Sequence, residues 1–180
     1  MRSNITKSIF IVIALSAACA VQSCTEEKGN SYTAKTKVNA EGLHFIRTAH
    51  EAGLTEIKAS EIAKQKSTNS QVTGLADMVI ADHKALGADV DSLAKHKFVT
   101  VIAEVSHDDR AVLDSLAKKT GPEFDKAYIE MMVADHEEAV ELFKENTKSN
   151  YTAVRDVAEK GLPKLEDHLK QAKAVQAGLK

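Results

Sequence analysis

Between Val72 and Leu93 the residues Val72, Ala76, Val79, His83, Leu86, Val90 and Leu93 follow one another at steps of four and three. That alternation keeps one stripe of an α-helix turned toward its neighbours, the seam spacing of helices packed in a bundle. A strand repeats every two residues and cannot produce it. The chain is thereby committed to packed helices, and His83 travels in the seam with the aliphatic residues.

The remaining segments extend this reading. Asn39 is an N-cap candidate, and Leu43, Ile46, Ala49, Ile57 and Ala63 recur at helical spacing, which predicts a first helix over 40–66. Lys66-Ser67-Thr68-Asn69 supplies a turn and a new cap, and the seam helix occupies 70–95. Residues 96–120 are less regular. A β-branched run, Val99 to Ile102, precedes Ser106 and Asp109, a variant capping box that opens a short helix to about Lys119. Thr120-Gly121-Pro122-Glu123 starts a third long helix over 122–148, with proline tolerated in the first turn. Ser149-Asn150 ends it, and a fourth runs over 152–176, where Pro163 after Gly161 is expected to kink or interrupt the helix. With no Trp and only two Pro, the composition agrees with an all-α domain. Short, long and short connections describe a ferritin-like four-helix bundle. Its crossover, between the second and third long helices, contains the short extra helix.

The first 23 residues are of another kind. Arg2 and Lys7 form a cationic start, Ile9 to Leu15 is a brief apolar stretch, and Val21-Gln22-Ser23-Cys24 follows small residues. This is the anatomy of a secretory signal, and its apolar part is far shorter than the ~20 residues that span a bilayer. Val21 and Ser23 before Cys24 resemble the lipobox of bacterial lipoproteins, whose cysteine becomes the lipid-bearing first residue. Cys19 is a weaker candidate, because Ser16 stands where Leu or Val is wanted. The expected organisation is a lipoprotein signal peptide over 1–23, a flexible polar tether over 24–38 and a bundle domain over 39–176. Thr25, rather than Asp, after the cysteine points to the outer membrane, facing the periplasm or the cell surface. The expected partner is thus a membrane, held through the anchor at Cys24. Removing 1–23 leaves 22 basic and 26 acidic residues, a net charge of −4. Such a balance offers no clustered basic surface for nucleic acid. Once Cys24 is lipidated and Cys19 removed, no cysteine remains for thiolate or zinc-finger chemistry.

Met78-Val79-Ile80-Ala81-Asp82-His83 is echoed by Met131-Met132-Val133-Ala134-Asp135-His136, the first on the second long helix and the second on the third. A crossover would make these helices parallel and let the two histidines face each other across the axis. The residues three before them are Ile80 and Val133, so the Glu-x-x-His motif of di-iron ferritins is absent and ferroxidase activity does not follow. The resemblance that emerges rests on Glu56 with Ala63, Met78-Val79 with Asp82-His83, and Gly121 with Phe124-Asp125-Lys126-Ala127-Tyr128. It continues through Met132-Val133, Asp135-His136, Leu162-Pro163-Lys164-Leu165 and His168. Over roughly 40–175 this ordered set resembles the bacterial domain of unknown function 4142. That family is described as ferritin-like and outer-membrane or secreted; the resemblance implies a fold and a location, not an activity.

Glu56 lies 12 residues before the turn at 68, and His83 lies 15 after it. His136 lies 14 before the turn at 150, and His168 lies 18 after it. At 1.5 Å per residue these are depths of about 18–27 Å in helices about 40 Å long. Glu56, His83, His136 and His168 are therefore candidate ligands of one metal ion, with Asp82 and Asp135 orienting the rings from behind. Imidazole with carboxylate suits zinc, copper, iron or manganese; Met132, one turn before His136, could add a thioether and favour copper. A layer of buried histidines satisfied by carboxylates and carbonyls is the competing reading. His44 and His50 lie on the margins of the first helix, and His96 and His107 flank the crossover. Glu137-Glu138-x-x-Glu141 reads as a solvated acidic face. No nucleophile constellation or phosphate loop is present, so no catalytic residue is assigned and a non-enzymatic bundle is favoured. Two alternatives stand beside it: a structural or interaction module of the envelope, and a small metal-dependent redox or stress enzyme.

Overall fold

The computed structural model describes residues 38–179, an arrangement of five helices. These are α1 (Ala40–Lys66), α2 (Ser70–His96), the short α3 (His107–Lys118), α4 (Gly121–Asn146) and α5 (Thr152–Gly178). The segments expected as a signal peptide (1–23) and, nearly all of it, a tether (24–38), with Cys19 and Cys24, lie outside the described residues.

Local chemistry sets the starts. The Asn39 side chain accepts from Gly42 N, Asn69 from Gln71 N, and the Ser106 hydroxyl from Asp109 N, each satisfying an amide that the first turn leaves unpaired. Thr120 makes no such side-chain bond; Gly121, at φ +57°, turns the chain into α4 ahead of Pro122. Only glycine adopts that left-handed conformation without strain.

Of the kink or interruption expected at Pro163, the interruption does not occur: α5 is continuous through it. The proline cannot donate to the Glu159 carbonyl, but both residues lie on the exposed face of the helix, where a missing donor costs least. Gly161 is required by packing. A Cβ there would stand 2.6 Å from Cε1 of Phe143, whose ring also meets Phe45 edge-on with centroids 5.0 Å apart.

Two apolar clusters fill the bundle. One gathers Ala59, Ala63, Val72, Val79, Phe124, Tyr128, Met132 and Ala172; the other gathers Phe45, Ile46, Leu86, Val90, Ala139, Phe143, Ala158 and Leu165. Their membership gives the directions. The end of α1 shares a cluster with the starts of α2 and α4 and the end of α5. Helices α2 and α4 are therefore parallel, α1 and α5 run oppositely, and residues 97–120 traverse the bundle as a crossover. Helix α1 packs on α2 and α4, and α5 on α4 and α2, leaving α2 and α4 diagonal across the axis. Every seam residue of α2 named above is buried. In α1 the expectation is less accurate: Leu43, Ala49 and Ile57 are half-buried, while Thr55, Glu56, Ala59 and Ser60 face the core.

Candidate metal centre

Between the two apolar clusters, each long helix contributes one ionisable group. Glu56 lies between Ile46 and Ala59 of those clusters, His83 between Val79 and Leu86, His136 between Met132 and Ala139, and His168 between Leu165 and Ala172. All four are buried, none more than 4% exposed. The sequence brings these four together as expected, His168 included, because the unbroken α5 keeps its register past Pro163.

The rings meet at one point. Nε2 of His83 lies 3.3 Å from Nε2 of His136, which lies 3.2 Å from Nδ1 of His168. The three centroids are 5.3 Å apart pairwise, and one ligand nitrogen from each ring falls within 4.8 Å of the others. Zinc–imidazole bonds of 2.0–2.1 Å in a tetrahedron put neighbouring nitrogens about 3.3–3.4 Å apart. The two spacings about His136 therefore match a tetrahedral ion, and the third, between His83 and His168, lies within 4.8 Å.

The outward nitrogens are each tied down. Nδ1 of His83 lies 3.1 Å from Oε2 of Glu56, Nδ1 of His136 is 2.9 Å from the Met132 carbonyl, and Nε2 of His168 is 3.1 Å from Oδ2 of Asp82. A carbonyl only accepts, so His136 carries its proton on Nδ1 and presents a bare Nε2 inward. The Asp82 carboxylate likewise places the His168 proton on Nε2 and leaves Nδ1 bare. Two lone pairs thus face each other across 3.2 Å, an arrangement that a cation relieves.

Electrostatics hold His83 and His136 neutral. Burial, reinforced by the charges His136 and His168 would carry, pushes His83 down to about 3. Burial also pushes His136 down to about 4, with His168 adding to the shift and the bond to Met132 opposing it. Burial, then Asp135, raises the Glu56 carboxyl well above the usual range. The Lys164 ammonium, bonded to Asp82, is the main reason that carboxyl is held low.

Three expected roles change. Glu56 stands behind the His83 ring, 3.1 Å from its outward nitrogen, rather than beside the three inward ones. Asp82 orients His168, on another helix, rather than its neighbour His83. Asp135 does not hold His136, whose Nδ1 is taken by the Met132 carbonyl of the preceding turn. The Met132 side chain belongs to an apolar cluster, and its carbonyl oxygen is what serves the site. The depth count fixed height along the axis but not rotation about it, which separates an inward atom from an outward one.

Elsewhere, His50 is more than a marginal residue: it bonds Asp91 at 2.8 Å and the Ile102 carbonyl at 2.8 Å, tying the crossover to α1 and α2. His44, His96 and His107 are exposed, as are Glu137, Glu138 and Glu141. A residue missed in the sequence is Asp109, whose Oδ2 accepts from Thr55 Oγ1 at 3.1 Å and Ser106 Oγ at 2.9 Å. Its place in a capping box was visible, but its second partner on α1 was not. Among the described residues no helix is long and apolar enough to cross a membrane.

Comparison with known proteins agrees with the fold. A crystal structure of a DUF305 fragment from Deinococcus radiodurans is similar, with a TM-score of 0.71 and 10% identity, covering 79% of this chain and 99% of that one. Such low identity carries the helical architecture alone. A search of curated proteins finds no match. The model of the family described as Domain of unknown function (DUF4142) matches residues 28–175, and the chain belongs to that family.

Proposed function

We propose that this protein is a lipid-anchored envelope protein whose bundle binds one divalent transition-metal ion through His83, His136 and His168. The observation that carries the reading is the cluster of three inward nitrogens, those of His83 and His168 each 3.2–3.3 Å from that of His136 and all within 4.8 Å of one another, each ring having an oxygen beside its other nitrogen. Metal-binding histidines are held in this way, by a carboxylate or carbonyl that fixes the tautomer. Zinc fits the tetrahedral spacing; copper and iron also accept imidazole, and manganese, which prefers oxygen ligands, fits less well. Glu56 and Asp82 act as orienting partners rather than ligands.

Cost supports the reading. Burying a neutral polar group whose hydrogen bonds are left incomplete costs about 1–3 kcal/mol, whereas an aliphatic side chain in the same layer would contribute about 1.5–3 kcal/mol. A bound ion turns that penalty into affinity. The rival structural layer would use Glu56 in its acid form. Glu56 could then donate to His83, which could donate to His136, but His168 Nδ1 would still face a bare nitrogen.

Elemental analysis of the untagged chain, before and after chelation, tests the reading. One equivalent of metal, lost on chelation and restored on addition, is expected; clean apo-protein that refuses added zinc, copper, iron and manganese would leave the structural layer in front. A redox-active spectrum with stoichiometric metal would instead promote the enzyme alternative. The anchor is tested separately: Cys24→Ser should release the protein from outer-membrane fractions, and a variant still retained there would sink the lipoprotein assignment.

A further inference from the structure

The three histidines are buried, so an ion must have a way in. A cavity of about 380 Å³ opens between α1 and α4, beneath the start of α3, and reaches both Glu56 and His83. Apart from His83, its ionisable lining is acidic: Glu51, Glu56, Asp109, Asp135 and Glu138. No lysine or arginine lines it. At its inner end Glu56, only 1% exposed, has one oxygen on His83 and the other, Oε1, without a hydrogen-bond partner. A second cavity, of about 270 Å³, also touches His83, but Lys84 stands in its wall. We infer that the acidic cavity is the entrance for a hydrated divalent cation, drawn in by Asp109, Asp135 and Glu138 and passed to the histidines by Oε1 of Glu56.

The inference rests on the three-histidine reading and adds a route to it. Among the described residues the group able to hold an ion together is the histidine trio, so the carboxylates form a path of weak contacts. A cleft lined by one sign of charge raises the local concentration of the opposite ion and speeds its association about 10- to 1000-fold, an effect that salt screens. Asp109 also shapes the opening, because its bonds to Thr55 and Ser106 hold α3 over it.

The test is stopped-flow uptake of zinc by the full-length apo-protein, read with a chromophoric chelator at several salt concentrations. In Asp135→Asn/Glu138→Gln, association should slow about tenfold and lose much of its salt dependence, with one zinc still bound at the end. Asp156→Asn/Glu159→Gln, which removes two charges from exposed positions of α5 outside the cavity, should match the wild type within about twofold. Glu56→Gln should also slow uptake, since an amide cannot shed a proton to the arriving ion and become the anionic oxygen that hands it on. Normal rates in both cavity variants, with zinc still bound, would overturn the entrance and leave the histidine site intact. Failure of the wild type to take up zinc or any other divalent metal would overturn the site, and the entrance with it.

Discussion

The repeated Asp-His pairs of α2 and α4 have the same sequence and opposite surroundings. On α2, Asp82 reaches a different helix, bonding His168 and Lys164, and its carboxyl is held low chiefly by that lysine. On α4, Asp135 bonds neither its own histidine nor a cation. Burial, with Glu138 and Asp109 nearby, pushes it up to about 6. The histidines differ in the same way: His83 leans on a carboxylate from α1, His136 on a carbonyl of its own helix. The repeat brings two imidazoles face to face across the axis; the neighbouring helices decide what each aspartate does.

The most severe challenge to this contrast is to remove the histidines themselves. His83→Ala and His136→Ala should each abolish stoichiometric metal by calorimetric titration, because each supplies one of three inward nitrogens. A variant that kept full affinity would place the ion elsewhere.

The aspartates should part company. Asp82→Asn should weaken zinc binding roughly tenfold or more, the usual effect of losing the group that orients a ligand histidine. Asp135→Asn should leave equilibrium affinity within about twofold by the same standard, since it orients no ring. Equal losses in both variants would erase the distinction between the two.

Packing gives a control for the layer. Gly161→Ala forces a methyl against Phe143 and should cost about 1–3 kcal/mol of stability, seen as a lowered Tm in the apo-protein. Metal stoichiometry should be unchanged, because the clash lies in an apolar cluster.

The smallest effect concerns pH. Imidazoles titrate near 6.5 in the unfolded chain, but His83 and His136 resist protonation to about 3 and 4. On acidification below 6.5 the unfolded state therefore binds more protons and apo stability falls. Glu56 and Asp135, with raised values, act in the opposite sense: their folded forms take up protons first, which offsets part of the fall. Glu56→Gln should accordingly steepen the loss of stability between pH 6.5 and 4.5 in chemical unfolding. An unchanged slope would mean that Glu56 is ionised in the apo fold.

Helix boundaries were legible because short-range chemistry sets them. Asn39, Asn69 and Ser106 each cap where the sequence places a cap, and α1 to α5 begin and end within about two residues of expectation. The height of the layer was legible because rise per residue is constant. Inward and outward were not. The Met132 carbonyl, the Glu56 position behind a ring and the reach of Asp82 to His168 depend on how each helix is rotated against its neighbours. The apolar pattern of α1, with Leu43 and Ile57 only half-buried, left that rotation open by a wide margin. Continuity at Pro163 was hidden for a related reason, since it depends on Glu159 facing water.

The crossover divides the chain into two hairpins, α1–α2 and α4–α5, and both apolar clusters are built from the two together. The histidine trio belongs to neither alone: His83 comes from the first hairpin, His136 and His168 from the second. A bound ion would thus act as a staple between the two hairpins. At a free concentration 100 times its dissociation constant it would add about 2.7 kcal/mol to their docking. Metal supply would then set how cooperatively the bundle unfolds, making the ion a component of the architecture as well as its cargo.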